Sequence, residues 1–471
     1  MAHSAWPGLP QAEILRDGGS NQYLVSSDGG ATSESLCEGD ILCLIPTGDG
    51  NQDPKDYVLL YVSTKDCDTK GVSKTADLSL RKFKIKQPPK ELSRYMLNAN
   101  PDSFFGDIRN PSNRVELSVI VSVKSGTCEA EEFYDRILKD LLSSLGISPD
   151  QHRVYFTESE RWIAEFASQV LCKKANEGLA QSVLLLSGDG GVVDIINGIF
   201  GLPQTSYYVK PKIGLLVFGT GNALANSSKL NISNSRGLQA VFHGLARNIP
   251  TFVCRCSTGS VLLIDEGRST EEMGTDEQGG CVVHGAVVAS WCLHATLVAD
   301  SDTTEYRKFG SERFSMAANE LLVPSDGSPP HQWQGKITIY RRSPSGELQS
   351  ETLGRQTHMY ILATLVSHLE ATLNISPKSD PLDGQFRLVE FPPLPPAEVK
   401  KIFGMAFDSG RHIEHESVGY TEIEGLRIDF EESDPRWRRI CIDGKIIRIP
   451  EGGWMEVRRE TREVVDLMIR L

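Results

Sequence analysis

The chain has 471 residues, a net charge of −13 and a pI near 5.4, long enough for two or three domains. With 39% hydrophobic and 24% charged residues it has the composition of an ordinary globular protein, and its acidic balance argues against a nucleic-acid binder, which carries basic faces. The N-terminus, "MAHSAWPGLPQAEILRDGG", lacks a basic stretch followed by an apolar run, so no signal peptide is expected.

Residues 1 to 112 are rich in Gly, Ser and Asp, with short apolar runs at "DILCLIP", "YVLLYVS" and "LSLRKFKI". This pattern predicts a small β-rich module that ends in a connector, "KQPPKELSRYMLNANPDSFFGDIRNPSNR". From Leu117 the pattern changes. "LSVIVSV", "HRVYFTE", "SVLLLSG" and "KIGLLVFGTGN" read as buried strands, and "AEEFYDRILKDLLSSLG", "RWIAEFASQVLCKKANEG", "GVVDIING" and "ALANSSKL" read as the helices between them. Strands that alternate with helices predict an α/β domain over 113–248, a doubly wound parallel sheet covered on both faces. Ligands of such sheets bind beyond the carboxyl ends of the strands.

After about residue 249 the sequence becomes strand-rich, with "PTFVCRCSTGSVLLID", "KITIYRR", "HMYILATLVS", "RIDF", "RRICIDGKIIRIP" and "WMEVRRE". An antiparallel β-sandwich over 249–471 follows, interrupted by a helical piece, "TTEYRKFGSERFSMAANELL". The charge-free run "CVVHGAVVASWCLHATLVA", Cys281 to Ala299, is long enough to span a bilayer. Its histidines and β-branched residues predict instead two core strands joined by a turn, suited to lining a lipid pocket. The ten cysteines include no CxxC pair, and reduced thiols are expected throughout, Cys254 and Cys256 of "VCRC" included.

Three features carry chemistry. "SGDGG" places Asp189 on a strand-to-helix turn, where unpaired backbone N–H groups meet phosphate; a carboxylate there calls for a metal ion or a proton-transfer role. "GTGNA", Gly219 to Ala223, repeats the strand–turn–helix unit about 30 residues on; glycine lets backbone approach a ligand, and Asn222 is placed to cap its helix or to bond a phosphate. In "ADSDTTEYRKFGSERF", Asp302 and Glu305 have the spacing of a capping box. Arg307 and Arg313 there are about 240° apart on an ideal helix, so both reach one target only if the helix breaks at Gly310.

"SGDGG", "GTGNALA", "DSDTTEYRKFGSERF" and the late "CIDGKI" stand in the order and approximate spacing of the lipid kinases that share the diacylglycerol-kinase catalytic domain. The chain resembles most the sphingosine and ceramide kinase branch, from about Leu117 to Val457. The resemblance implies an enzyme that transfers phosphate from ATP, with Mg²⁺, to a lipid hydroxyl in a cleft between an α/β and a β-sandwich domain. It implies that Asp189 accepts the hydroxyl proton, with Ser187, Gly188 and Gly190 bordering the acceptor. It places Thr157, Thr220, Gly221, Asn222, Arg307, Arg313, Asp443 and Gly444 around ATP, and Asp194 near the nucleotide and its metal. The acidic residue that reads the lipid head falls on Asp300, with Asp302 as the alternative. A sphingoid long-chain base is the expected substrate, with ceramide or diacylglycerol as alternatives and a catalytically weak lipid-binding relative as a further one. NAD kinase shares the aspartate–glycine turn but lacks the "EYRKFGSERF" segment. A cytoplasmic protein that visits membranes peripherally, with no nucleic-acid partner, is expected.

The sequence departs from that family at three places. The first loop, usually near "NPxGGxGxA", is here "SVKSGTCEA" and keeps only Gly126 and Ala130, with Lys124 as an added charge. Position 194 is Asp rather than Glu, about 1.5 Å shorter in reach. Cys292 stands where the family has glycine.

Overall fold

The computed structural model describes residues 6, 8–17, 22–27, 32–47, 56–64, 72–97, 104–105, 115–231, 233–275, 279–310 and 312–470. The N-terminal strands Gln11–Arg16, Gln22–Ser27, Thr32–Cys37, Ile41–Pro46, Asp56–Thr64 and Leu78–Lys86 form one six-stranded sheet. Its order is third, second, first, sixth, fifth, fourth. The first strand buries alternate residues, Ala12 and Ile14, as a half-covered strand does. Leu42, Val58, Leu60 and Val62 of this sheet share one core with Ile137 and Leu141 of the next unit. Phe104 and Phe105 of the connector are buried in the same core, and most of the remaining connector lies outside the described residues.

The α/β unit is built on four parallel strands, Glu116–Val121, His152–Phe156, Gln181–Ser187 and Lys212–Val217. All seven residues of Gln181–Ser187 are buried, as expected for a central strand with both faces covered. Helical segments run over Ala130–Ser144 and Trp162–Asn176, each with a wider π-helical stretch in its middle. The 249–471 span expected for the sandwich is too long. The last strand, Asp466–Ile469, leaves it and pairs in parallel with Lys212–Val217. Leu245–Asn248 then closes that edge in antiparallel fashion. Val464, Val465, Leu467, Met468 and Ile469 are all buried there; an apolar strand placed so protects a sheet edge that would otherwise pair with other chains.

The rest of the C-terminal half folds as two antiparallel sheets of seven and eight strands. Their facing side chains interlock. Trp291 meets Phe430 at 5.0 Å between ring centroids, and Phe252 meets Phe386 at 5.3 Å. The segment expected to form two strands does so at Cys281–Gly285 and Val288–Cys292, but Leu293–Ser301 is a helix. The reversal occurs at Cys292, whose φ of +65° is a conformation that favours glycine. Cys254 and Cys256 lie on one face with their sulfurs 3.8 Å apart, beyond the roughly 2 Å of a disulfide bond.

Two helical glycines give opposite expectations. A methyl at Gly198 would lie 2.3 Å from the Ala164 carbonyl oxygen and 2.8 Å from Ala167 Cβ, whereas one at Gly404 would meet nothing within 4 Å. Gly198→Ala should therefore lower stability by about 1–3 kcal/mol through overpacking, and Gly404→Ala should raise it by about 0.5–1 kcal/mol through helix propensity. Urea unfolding midpoints at constant slope test both signs.

Candidate active site

Gln181–Ser187 and Lys212–Val217 pair in register, with Ser187 opposite Val217. The two glycine turns that follow therefore leave the sheet side by side. They touch: a methyl on Gly188 would fall 2.7 Å from Gly219 Cα, and one on Gly219 would fall 2.6 Å from Gly188 Cα. No side chain fits between them. The first loop joins the same cluster. Gly126 has φ +53° and lies so close to Phe218 that a methyl would sit 2.1 Å from its carbonyl oxygen. Ser125 Oγ accepts from Gly188 N–H at 3.1 Å.

Asp189 opens the Asp189–Phe200 helix. Its carboxylate reaches across to the neighbouring turn and accepts from Leu224 N–H at 2.8 Å and Ala225 N–H at 3.2 Å. Those amides belong to the start of the Ala223–Ser227 helix, so Asp189 caps it from another element. Asn222, expected to cap or to bind phosphate, does not cap. It has φ +55°, and its Nδ2 donates to Gly219 O at 2.7 Å. Its Oδ1 is buried with no partner among the described residues, as fits a group that completes its bonding with a ligand.

The turn between strands Arg439–Ile442 and Lys445–Arg448 brings a second carboxylate to the cleft. Asp443 and Gly444 have φ of +49° and +88°, the backbone of a tight hairpin turn. Asp443 accepts from Ala286, Val287 and Val288 N–H groups at 2.6, 3.0 and 2.6 Å. Burial pushes the carboxyls of Asp189 and Asp443 up to about 6, against the opposing pull of their amide donors, and for Asp443 the Asp189 charge adds to the rise. Asp189 nevertheless keeps part of its surface open to the cleft.

A cavity of about 860 Å³ is lined by residues of both units. Ser187, Gly188, Asp189, Gly190, Thr220, Gly221, Asn222, Asp443 and Gly444 contribute its polar part. Leu297 and Val298 of the Leu293–Ser301 helix, Ala318 and Leu322 of the Glu312–Leu322 helix, Phe403 and Phe407 of the Pro396–Phe407 helix, and Tyr360 give it an apolar wall. His294 also lines it, held at Nδ1 by Ser290 Oγ at 2.7 Å and pushed down to about 4 by burial, hence neutral.

The chain does break at Gly310, with φ +57°, between helices Thr304–Arg307 and Glu312–Leu322. The break brings both arginines to one carboxylate. Asp302 takes Arg307 in a two-point contact at 2.9 and 3.0 Å and lies 3.6 Å from Arg313 Nη1. The expected capping box does not form: Thr303 Oγ1 accepts from Tyr306 N–H as a simple N-cap, Glu305 pairs with Lys308, and Asp302 is left free for the arginines. Arg313 and Asp302 line the cavity and Arg307 does not.

Three further expected residues, besides Arg307, lie outside the cavity lining. Thr157 does not line the cavity; its Oγ1 accepts from Val123 N–H at 3.2 Å and so braces the base of the first loop. Asp194 lies one turn and a half into its helix, where it turns from the cleft to Lys445 Nζ at 2.9 Å. A metal ion on Asp194 would have to displace that lysine, so the residue does not fit a resident Mg²⁺ site, and no three-residue His, Cys, Asp or Glu cluster stands in for it among the described residues. Asp300 is held by Arg436 at 2.9 Å and Arg439 at 2.7 Å, outside the cavity lining; the helix at Leu293–Ser301, unexpected from sequence, rotates it away. Sequence reasoning missed Glu370, a cavity-lining carboxylate with no cation partner among the described residues and with its pKa raised by burial. It stands in "SHLEATL", a loop that carries no motif.

Residues 116–254 match the family model described as the diacylglycerol kinase catalytic domain. Sphingosine kinase 2 of Arabidopsis thaliana is 21% identical over 207 residues, 44% of this chain and 37% of the plant protein. The chain thus aligns with little more than a third of that relative's length. A diacylglycerol kinase structure from Bacillus anthracis superimposes with a TM-score of 0.45 at 10% identity, over 77% of this chain and 98% of that one. Yeast NADH kinase complexed with NADH superimposes with a TM-score of 0.37 at 13% identity, over 76% and 85% of the two chains.

The raised Asp443 carboxyl has a signed consequence. Its native value of about 6 exceeds the unfolded 3.8, so the native state binds the proton more tightly. The stability it contributes relative to a neutral side chain is greatest below pH 3.8 and falls as pH rises to about 6. The unfolding free energy of wild type minus that of Asp443→Asn should decline across this window and be flat above it, as denaturant titrations at successive pH values would record.

Proposed function

We propose that the chain is a kinase that transfers the γ-phosphoryl group of Mg·ATP to a lipid hydroxyl. The observation that carries this reading is the joining, in one cavity, of a glycine-turn cluster fit for a nucleotide with an apolar wall fit for an alkyl chain. The matched catalytic-domain family supports it. Phosphoryl transfer is a matter of positioning and charge neutralisation. Asp189, its orientation fixed by two amides, is placed to take the hydroxyl proton as the acceptor oxygen bonds to phosphorus. A carboxyl that titrates near 6 remains ionised at neutral pH while being a stronger base than an ordinary aspartate. Arg313, on the cavity wall, and Arg307, beside it through Asp302, supply positive charge toward the phosphates.

The charge of the lining supports a sphingoid long-chain base over a neutral lipid. Asp189, Asp302, Glu312, Glu370 and Asp443 face Arg313 and Lys400, an excess of carboxylates over cations. An ammonium head group offsets that excess, while ceramide and diacylglycerol bring no cation. Glu370 replaces Asp300 as the head-group residue, because it lines the cavity and has no competing cation. Phe407, half exposed yet part of the wall, and exposed Met316 on the Glu312–Leu322 helix that forms another part of it, with exposed Phe309 and Val323 at either end of that helix, give an apolar surface suited to peripheral contact with a membrane. No helix among the described residues is long and apolar enough to cross one.

Purified protein given labelled ATP should label sphingosine in preference to ceramide or diacylglycerol, and Asp189→Asn should cut turnover by about 100-fold or more without loss of fold. Near-normal turnover of that variant would make Asp189 structural. No labelled lipid, with lipid binding retained, would make the chain a lipid-binding relative.

Glu370→Gln should raise KM for sphingosine by about tenfold, roughly 1.4 kcal/mol, and change KM for a neutral lipid far less. An equal effect on both would remove Glu370 from head-group recognition.

A further inference from the structure

The first loop, Ser122 to Glu129, holds a single glycine, Gly126, and packs tightly against Phe218 and the Gly219 turn. The reason lies in the N-terminal sheet. Glu129, at the end of the loop, accepts from Thr75 N–H at 3.2 Å and from Thr75 Oγ1 at 2.9 Å. Thr75 is fully buried, between the Asp56–Thr64 and Leu78–Lys86 strands of that sheet. The same Glu129 oxygen accepts from Arg236 Nη2 at 2.9 Å. Arg236 in turn donates to Ser73 O at 2.9 Å and to Val217 O at 3.4 Å, and its guanidinium lies 4.7 Å from the centre of the Phe218 ring. Phe218 immediately precedes the Gly219 turn. Val217 N–H donates to Arg236 O at 3.0 Å.

A second line of contacts runs beside the first. Buried Asp40 accepts from Asn234 N–H at 2.9 Å and Nδ2 at 3.2 Å, and Asn234 Oδ1 accepts from Ser73 N–H at 2.8 Å. Arg136, in the helix that follows the loop, donates to Ala76 O and Leu78 O at 3.0 and 3.3 Å. The bonds made by Asp40, Ser73, Thr75, Ala76 and Leu78 join the N-terminal module to Glu129, Asn234, Arg236 and Arg136 of the α/β unit, and none of those four residues lines the apolar wall.

We propose that the N-terminal sheet is a clamp for the nucleotide loop, with Glu129 as the positioning residue at its centre. The Thr75–Glu129–Arg236 contact fixes the loop and, through Phe218, the Gly219 turn together. This rests on the reading of the cleft as a nucleotide site. It assigns to the module a role in ATP affinity and not in lipid choice.

The full-length chain tests it with Glu129→Gln, which removes the charge, and Thr75→Val, which keeps the backbone and removes the hydroxyl. Each variant should weaken Mg·ATP binding about tenfold by calorimetry while lipid affinity stays close to wild type. The double variant should be little worse than Glu129→Gln, since both act on one contact. Thr75→Ser, which keeps the hydroxyl, should restore ATP affinity. Amide exchange across 123–129 should also quicken about tenfold in Thr75→Val, a readout independent of any ligand. Unchanged ATP affinity in folded Glu129→Gln and Thr75→Val, or an equal loss of ATP and lipid binding, would overturn the clamp. Failure of the wild type itself to bind Mg·ATP, with exchange quickened as expected, would overturn the kinase reading and leave the mechanical link standing.

Discussion

The contact between Gly188 and Gly219 is the constraint on which the site depends. Two parallel strands in register end at the same level, and the chain must leave both ends within one narrow space. Only bare Cα atoms fit there. Once the turns meet, the first residue of one helix lies within reach of the first amides of the next. That is why the Asp189 carboxylate, and not the adjacent Asn222, caps Ala223–Ser227. The cap is worth about 1 kcal/mol to a short helix. Its greater consequence is rotational: a carboxylate with two amides on its two oxygens has one orientation, and the remaining lone pairs are aimed by the fold before any ligand arrives.

Asp443 repeats the device from the sandwich side. Three amides of the Ala286–Val288 reversal converge on it, so this carboxylate too is oriented by backbone donors and not by an ion pair. Donors of this kind partly offset the cost of burying a charge. They do not cancel it, since both carboxyls titrate near 6. Lys445, next to this turn, reaches back to Asp194 in the α/β unit. The two units are thus tied at Lys445–Asp194 beside the cleft, which accounts for why a residue expected at the metal serves instead as a strut.

Much of this was legible in the sequence because it rests on local pattern. The four α/β strands are runs of apolar residues that end in glycine turns, and the register of such runs leaves Asp189, Thr220 and Asn222 little choice of place. The break at Gly310 was legible for the same reason: two arginines at an unfavourable helical spacing need a residue that tolerates positive φ. What escaped were features set by distant parts of the chain. Asp466–Ile469 falls within the span read as sandwich, and only an open edge in a sheet begun 350 or so residues earlier explains its return. Asp300 points away because Leu293–Ser301 is helical, although its β-branched residues favour strand. Cys292 adopts a positive φ that favours glycine; the reversal is imposed by the sandwich on a side chain that resists it, at a cost of about 1–3 kcal/mol.

Cys292 and the first loop share a logic. In both, the backbone shape rests on tertiary support and not on local conformational freedom. At Cys292 the support is the fully buried seam between the sheets. At the first loop it is a separate sheet that brings Thr75 to Glu129, with Arg236 buried between loop and turn. A loop that shapes itself can be edited one residue at a time. A loop held from outside binds its own evolution to that of its holder, since a change at Glu129 acts at once on Thr75, Arg236 and, through Phe218, on the Gly219 turn. The N-terminal sheet is therefore part of the nucleotide half of the cleft in a mechanical sense, although none of its residues lines the cavity.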